Sequence, residues 1–252
     1  MDSRGHGSTL ITTLAYEYPV DHVVPDHFHD RDQLVYACEG VMTVRTKDGM
    51  WMVPTHRAVW IPARIPHGIT MWGRVSMRTI YLKPRLVSAL PRSCCVVNVC
   101  PLLRELILHV CALQALNARR KTNAHLIRVL VDQLQSVEAI PLQLPNPSDA
   151  RARRVATALS ADASDKRPLD LFCKAAGASR RTIERVFQLE TRMTLGKWRQ
   201  QLRLMHAMRL LAAGEKITFA ALEAGYNTPS AFISMFRKVL GTTPKKYFAG
   251  RS

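Results

Sequence analysis

The 252-residue chain lacks any run of about 18 apolar residues, and its N-terminus lacks the apolar segment of a secretion signal. We therefore expect no membrane span and a cytoplasmic location. The six cysteines form no CxxC pair and no zinc-ligand spacing, so reduced and mostly buried thiols are expected, with redox sensing through Cys94, Cys95 or Cys100 as the alternative. Neither a nucleophile–base pattern nor a phosphate-binding glycine loop is recognisable, so we do not expect an enzyme.

Acidic residues are scarce, with 19 Asp and Glu against 36 Lys and Arg, and the net charge is +17. The excess is uneven, because residues 150–252 carry +13 and residues 1–149 carry only +4. A basic half of this kind favours a polyanionic partner, either nucleic acid or an anionic membrane surface. A hydrophobic content of 47% indicates a globular protein with a substantial core rather than a disordered one.

The chain divides by pattern into four parts. Residues 1–100 alternate short apolar runs with turn signals such as Glu39-Gly40, which predicts a small β-barrel or sandwich. Residues 101–139 contain two stretches of apolar residues at helical spacing, and residues 140–149 hold three prolines and resemble a linker. Residues 150–252 are predicted to be helical almost throughout. The fold class is therefore α+β in two domains, a β-barrel followed by two helices and then an all-α bundle.

The basic C-terminal part contains an internal repeat. Ala176-Gly177 recurs 48 residues later as Ala224-Gly225. Apolar and threonine positions recur at an offset of 49: Ile183 and Phe187 as Phe232 and Phe236, Thr194 and Trp198 as Thr243 and Tyr247. Each copy is predicted to be a short helix, a glycine turn and a second helix, which is the helix-turn-helix arrangement that reads DNA.

Local signals mark where the second helix of each copy begins. Ser179 offers an N-cap hydroxyl in the first copy, and Thr228 followed by Pro229 does so in the second. Gly241 is placed to end the second recognition helix. Between the copies, residues 195–213 predict a helix about 28 Å long, which would hold the two recognition helices about one DNA turn apart.

A helical wheel separates the faces of both recognition helices. In the first copy Ile183, Val186 and Phe187 form the core stripe, and the reading face is predicted opposite them. In the second copy the stripe is Phe232, Met235 and Phe236. Wheel position and the caps select the side chains that can contact bases or phosphates. These are Ser179, Arg180, Arg181, Thr182, Glu184, Arg185 and Gln188 in the first copy, and Asn227, Thr228, Ser230, Ala231, Ile233, Ser234 and Arg237 in the second.

Residues 165–248 resemble the DNA-binding domain of AraC-type transcription regulators. The resemblance lies in the segments that follow Ala176-Gly177 and Ala224-Gly225 and in Gly241-Thr-Thr-Pro244. It implies base contacts by Arg181, Glu184 and Arg185 in the first copy, and by Ser230, Ala231, Ile233 and Ser234 in the second. The chain departs from the family at Arg192, where glycine is usual, which predicts modest backbone strain or a different exit from the helix.

The N-terminal part resembles the two cupin motifs. His27-Phe28-His29, Gln33 and a later Pro62-Ala-Arg-Ile-Pro-His67 correspond to the residues that hold a metal inside such barrels. His27, His29, Gln33 and His67 are therefore candidate ligands of a divalent transition metal, zinc or nickel. Glutamate is usual where this chain has Gln33, so a metal-free pocket for a small effector, walled by Tyr36, Trp51 and Trp60, is an equal alternative. A purely structural polar core is a third.

The leading hypothesis is a one-component regulator in which an effector bound in the barrel alters binding to a double-stranded DNA operator. Its competitors are a metal-dependent cupin enzyme fused to a DNA-binding domain and an architectural DNA-binding protein with an inert barrel. Helices after the barrel often pair subunits in AraC-type proteins, so the resemblance also implies a homodimer through residues 101–139. The apolar stripe of those helices could instead pack on their own barrel.

Overall fold

The computed structural model of the protein describes residues 9–248 except 138, 141 and 142. The chain forms two compact units that divide between Gln143 and Leu144, with residues 47–50 counted in the second unit. The first is β-rich and the second is helical, as predicted. Among the described residues, no helix is long and apolar enough to cross a membrane.

Within the described residues, the first unit is built on ten strands of different lengths. Their bounds are β1 Thr9–Tyr18, β2 Val23–His27, β3 Asp32–Thr46, β4 Gly49–Pro54, β5 Arg57–Ile61, β6 His67–Leu82, β7 Cys95–Asn98, β8 Ala115–Asn117, β9 Ala139–Ile140 and β10 Gln143–Pro145, with β4 and β10 extending into the second unit. The main hydrogen-bonded path runs β8-β1-β6-β3-β5-β7-β9. Its two end strands are not paired with each other within the described part of the chain, so the expected closed barrel is instead an open, branched sheet.

The sheet is nevertheless strongly curved, because β6 bends back on itself. A straight strand of 16 residues would be about 50 Å long. Yet the rings of His67 and Tyr81, at opposite ends of β6, both lie against His29, with ring centroids 5.6 Å and 4.8 Å from that of His29. Gly73, with φ of 70°, interrupts the strand between them. The curvature therefore gives the sheet a concave face even though its pairing does not close.

Two helices cover the opposite face of this sheet, α1 Pro101–Ala112 and α2 Lys121–Gln135. Their apolar stripes are buried in one core with the sheet, in which the helical members are Leu103, Ile107, Val110, Cys111, Ile127, Leu130 and Leu134. The apolar stripes of α1 and α2, predicted either to pair two subunits or to pack on their own barrel, are thus buried within the unit. Residues 140–149, predicted to be a linker, contain β10, where Leu144 is buried. Leu144 precedes Pro145, and a residue before proline favours an extended conformation, which suits a strand.

The second unit contains seven helices within its described residues. They are α3 Ala150–Ala161, α4 Leu169–Ala175, α5 Arg180–Thr191, α6 Leu195–Ala212, α7 Ile217–Glu223, α8 Pro229–Leu240 and α9 Pro244–Phe248. The predicted caps are present: the hydroxyls of Ser179 and Thr228 accept the backbone N–H groups of Thr182 and Ala231, at 3.2 Å each. Glycines with positive φ, Gly177 and Gly225, form the two turns.

Arg192 ends α5 in the left-handed conformation, with φ of 59° and ψ of 20°. The chain therefore keeps the exit that glycine usually provides, and the arginine carries the steric cost. We predict that Arg192→Gly raises the free energy of unfolding of the helical unit by about 1 kcal/mol, because glycine adopts this conformation without Cβ strain. Thermal unfolding of the full chain measures the gain.

Arg192→Ala is the matched control, since it removes the side chain and keeps the Cβ. It should bring no comparable gain. An equal stabilisation by both substitutions would assign the effect to the charge of the arginine and not to its backbone.

Candidate functional site

Three histidines meet at the concave side of the sheet. His27 and His67 are antiparallel partners at the ends of β2 and β6, and His29 follows β2 directly. One imidazole nitrogen from each lies within 4.8 Å of the others. The sequence prediction that these three side chains converge is thus matched by their positions, because the strand pairing brings residues 40 positions apart side by side.

Hydrogen bonds fix the orientation of two of the rings. Nδ1 of His27 donates to the carbonyl of Pro25 at 2.8 Å, and Nδ1 of His67 donates to the carbonyl of Ile65 at 2.9 Å. A carbonyl only accepts, so Nδ1 carries a proton in both rings, and Nε2 is the nitrogen that can offer a lone pair. Such a second contact is what orients a metal-binding histidine. Both rings are therefore arranged to offer Nε2.

The site leaves buried polar atoms without partners. Nε2 of His29, Nε2 of His67 and Oε1 of Gln33 are buried and make no hydrogen bond within the described residues. Burial lowers the pKa of His67 to about 4 and also lowers the pKa of His29. Burial thus favours the neutral form of both rings, and each unpartnered atom costs on the order of 1–3 kcal/mol unless a ligand or an ion satisfies it.

Gln33 lies on β3 opposite Tyr81, whose ring packs edge-on against His29. Tyr81 was missed by the sequence analysis, as was Thr79, whose buried hydroxyl also lacks a partner among the described residues. The sequence did carry a signal for both residues: each is separated from His67 by an even number of positions along one strand, and alternate residues share a face. The concave face is therefore more polar than the histidine motif alone indicated.

Two of the three aromatic residues predicted to wall the effector pocket, Tyr36 and Trp60, lie on the other face of the sheet. Leu34 pairs with Trp60, and strand alternation places both, together with Tyr36, on the face opposite Gln33. Tyr36 and Trp60 are buried in the core that includes α1 and α2. The prediction that these two rings line a pocket with the histidines is therefore wrong. Trp51 lies in β4, and its buried Nε1 has no partner within the described part of the chain.

The first recognition helix, α5, presents the expected faces. Ile183, Val186 and Phe187 are buried, while Arg181, Arg185 and Gln188 are exposed. The side chains of Arg181 and Arg185 make no hydrogen bond or ion pair with another described residue. Because both guanidinium groups are free, this face can donate bidentate hydrogen bonds to guanine or to phosphate.

Two other predicted contact residues of α5 are engaged inside the unit. Glu184 accepts the backbone N–H of Leu195, the first residue of α6, at 2.9 Å. Arg180 contacts both Glu184, at 3.6 Å, and Asp170 of α4, at 3.1 Å. These contacts connect three helices, so the geometry favours a positioning role for Glu184 over the reading of a base.

The C-terminal end of α5 is held in a similar way. Glu190 accepts the backbone N–H groups of Ser148, at 2.5 Å, and Asp149, at 3.1 Å, just before α3 begins. Asp149 in turn caps α3 through Arg151 and Ala152. Carboxylates near helix N-termini are stabilising because the helix dipole is positive there. The first recognition helix is therefore anchored by its own side chains at two points.

The second recognition helix, α8, presents a less charged surface. Phe232 and Phe236 are buried, whereas Met235 is only half-buried. The outward side carries the predicted set, with Asn227, Thr228, Ser230, Ala231, Ser234 and Arg237 exposed and Ile233 half-buried. Arg237 is free of ion pairs with described residues, so α8 offers one free guanidinium against two on α5.

Comparisons with known proteins agree with both units. A family described as "AraC-like ligand binding domain" matches residues 11–144, and one described as "Helix-turn-helix domain" matches residues 172–250. The HTH-type transcriptional regulator NimR of Escherichia coli K12 is 32% identical over 225 residues, which cover 89% of this chain and 82% of NimR. The HTH-type transcriptional activator RhaR of Klebsiella pneumoniae is 30% identical over 100 residues, 39% of this chain and 36% of RhaR.

Two solved structures are among those similar to this chain. ToxT from Vibrio cholerae with a bound unsaturated fatty acid is 13% identical, with a TM-score of 0.40, over 98% of this chain and 97% of ToxT. The DNA-binding domain of AdpA in complex with a target DNA is 31% identical, with a TM-score of 0.37, over 41% of this chain and 93% of that domain.

The contacts of Glu184 predict an effect on the unit itself. Glu184→Ala should leave the Leu195 N–H without its acceptor and lower the free energy of unfolding by about 1 kcal/mol. Amide hydrogen exchange at Leu195, followed by NMR, should accelerate in this variant. Gln188→Ala, an exposed change on the same helix, is the control and should leave exchange at Leu195 unaltered. Unchanged exchange in Glu184→Ala, together with relaxed preference at one base pair, would instead identify Glu184 as a base-reading residue.

Proposed function

Because the chain belongs to the AraC family of DNA-binding transcription regulators with a ligand-binding N-terminal domain, we propose that it is a one-component regulator. An effector held by the first unit changes how the second unit engages a double-stranded DNA operator. The observation that carries the DNA-binding part is the pair of free, exposed guanidinium groups on α5. The proposal includes a cytoplasmic location, where the operator is, and no catalytic activity of its own.

We propose further that Arg181 and Arg185 read bases and that α8 contributes less sequence information. Ser179, Thr182, Gln188, Asn227, Thr228, Ser230, Ala231, Ile233, Ser234 and Arg237 complete the proposed surface. Hydroxyl and amide side chains discriminate among base pairs less sharply than a bidentate arginine on guanine. Arg180 and Glu184 are assigned to support of the surface because their contacts lie within the unit.

Selection of operators from a random DNA pool tests this assignment. The half-site bound by α5 should show steeper base preferences than the half-site bound by α8. Arg185→Ala should weaken binding to the selected operator by about 1–3 kcal/mol and relax one base position, because a bidentate contact is lost. Titrations at fixed salt against the operator and a point-mutated operator measure both effects.

Lys166→Ala, which removes an exposed charge between α3 and α4, is the matched control. It should change affinity equally for both DNAs, if at all, since a phosphate contact carries no sequence information. Equal losses on both operators for Arg185→Ala, or a sharper half-site under α8, would contradict the assignment.

We propose that the histidine cluster binds one zinc or nickel ion. Three imidazoles, each with a nitrogen within 4.8 Å of the others, support this, because imidazole is the nitrogen ligand that both metals accept. The Nε2 atoms of His29 and His67 are buried without a partner among the described residues. Nitrogens bound to one tetrahedral zinc lie about 3.4 Å apart, so small side-chain rotations would close the present spacing. Oε1 of Gln33 is a candidate neighbour of the ion. The bound metal would supply a Lewis acid to which an effector can attach.

Metal analysis of the full chain tests this site. After loading with zinc or nickel and dialysis, elemental analysis should find about one ion per chain, and His29→Ala should reduce the content at least tenfold. His125→Ala, on the exposed surface of α2, should retain the ion. Equal metal content in the two variants would refute the metal site. A metal-free protein whose DNA binding responds to an effector only with His29 intact would favour the alternative, an effector pocket.

We propose separately that the chain forms a homodimer. Since the inward stripes of α1 and α2 are buried within the unit, subunit pairing would use their outward sides, where Leu102, Leu113 and Val129 are exposed. Sedimentation analysis of the wild type and of Leu102→Asp addresses it, and a monomeric wild type would contradict it.

A further inference from the structure

A cleft in the first unit has none of the three clustered histidines in its lining. Its volume is about 510 Å³, within the range of small-molecule sites. Trp60 and Asp32 form part of its lining, and both share the sheet face opposite Gln33, since Leu34 pairs with Trp60 and strand residues alternate. The remaining walls come from the loop that precedes β6 and the segment that follows it.

The lining combines an apolar body with two cations. The apolar part is formed by Trp60, Pro62, Ile65, Val87, Leu90 and Pro91. Arg85 and Arg92 also line the cleft, and neither makes an ion pair or hydrogen bond through its side chain with a described residue. Unpaired guanidinium groups beside an apolar wall attract an anion that carries an apolar group.

The one acidic residue in the lining does not neutralise these arginines. Asp32 is buried, and its two carboxylate oxygens accept backbone N–H groups from opposite walls, Ala63 at 2.9 Å and Arg85 at 3.2 Å. These two hydrogen bonds hold the walls together. The guanidinium groups of Arg85 and Arg92 remain available to donate hydrogen bonds to a ligand.

The cleft is also fixed in shape. Trp60 donates its Nε1–H to the carbonyl of Pro91 at 3.1 Å. This bond connects the segment that follows β6 to β5. Together with the two Asp32 contacts, this bond connects three separate stretches of chain. A preformed site of this kind binds without a large ordering cost.

We propose that this cleft is a binding site for a small organic carboxylate with an apolar or aromatic body, held by Arg85 and Arg92 against Trp60. The three histidines are outside its lining, and His67 is linked to it by the hydrogen bond from Nδ1 to the carbonyl of Ile65. The cleft gives the first unit a second ligand position, one that is selective for negative charge.

Calorimetric titration of the full chain with 4-phenylbutanoate, in buffer containing EDTA, tests the proposal. Saturable binding is expected, and the uncharged isostere 4-phenylbutanamide should bind at least tenfold more weakly. The double variant Arg85→Ala/Arg92→Ala should lose at least tenfold in affinity for the carboxylate. Arg128→Ala, an exposed arginine on α2 outside the cleft, is the charge-matched control and should bind as the wild type does.

NMR of the tryptophan indole N–H groups locates the ligand and shows that each variant is folded. The Trp60 resonance should shift on addition of the carboxylate, while that of Trp198 in the helical unit should not. Absence of saturable binding, equal affinity for the amide, undiminished binding by the folded double variant, or a shift that spares Trp60 would each overturn the proposal.

Discussion

The curvature of β6 is the constraint on which the first unit depends. This strand pairs with β1, β2 and β3, so its path decides which faces of the neighbouring strands turn inward. Because it bends back, its first residue, His67, and its penultimate residue, Tyr81, approach the same side chain, His29. A straight strand would leave the three histidines on a flat surface open to water. The bend instead creates a concave face on which His67 is buried and His27 and His29 are half-buried.

Sequence periodicity predicted the helical unit well because its signals are local. Caps such as Ser179 and Thr228, and the buried stripe of Ile183 and Phe187, depend only on neighbours within a few residues along the chain. The first unit was predicted less completely, since strand register is set by distant residues. The histidine motif indicated a site, but no local pattern showed that Trp60 would face the helices or that Tyr81 would contact His29.

Glu184 illustrates a different limit of sequence reasoning. A helical wheel places it on the outward side of α5, where it resembles a base-reading residue, but a wheel does not show the start of the next helix. The backbone N–H of Leu195 donates to the carboxylate of Glu184 at 2.9 Å, and this contact depends on how α5 and α6 cross. The outward face of a recognition helix is therefore a mixture of DNA-facing and neighbour-facing residues that only the packing separates.

Comparison of the two repeats explains why only the first needs this carboxylate. At the offset of 49 residues, Leu195 corresponds to Pro244, and Glu184 corresponds to Ile233. Pro244 begins α9 and has no N–H, so nothing at that position requires an acceptor. Leu195 begins α6 with an N–H that would otherwise be unsatisfied. The second repeat lacks this N–H donor, so the position of Ile233 needs no acceptor and can hold an apolar residue. The first repeat keeps the donor and uses a charged residue to satisfy it, which also holds α5, and the two free arginines on it, in a fixed orientation.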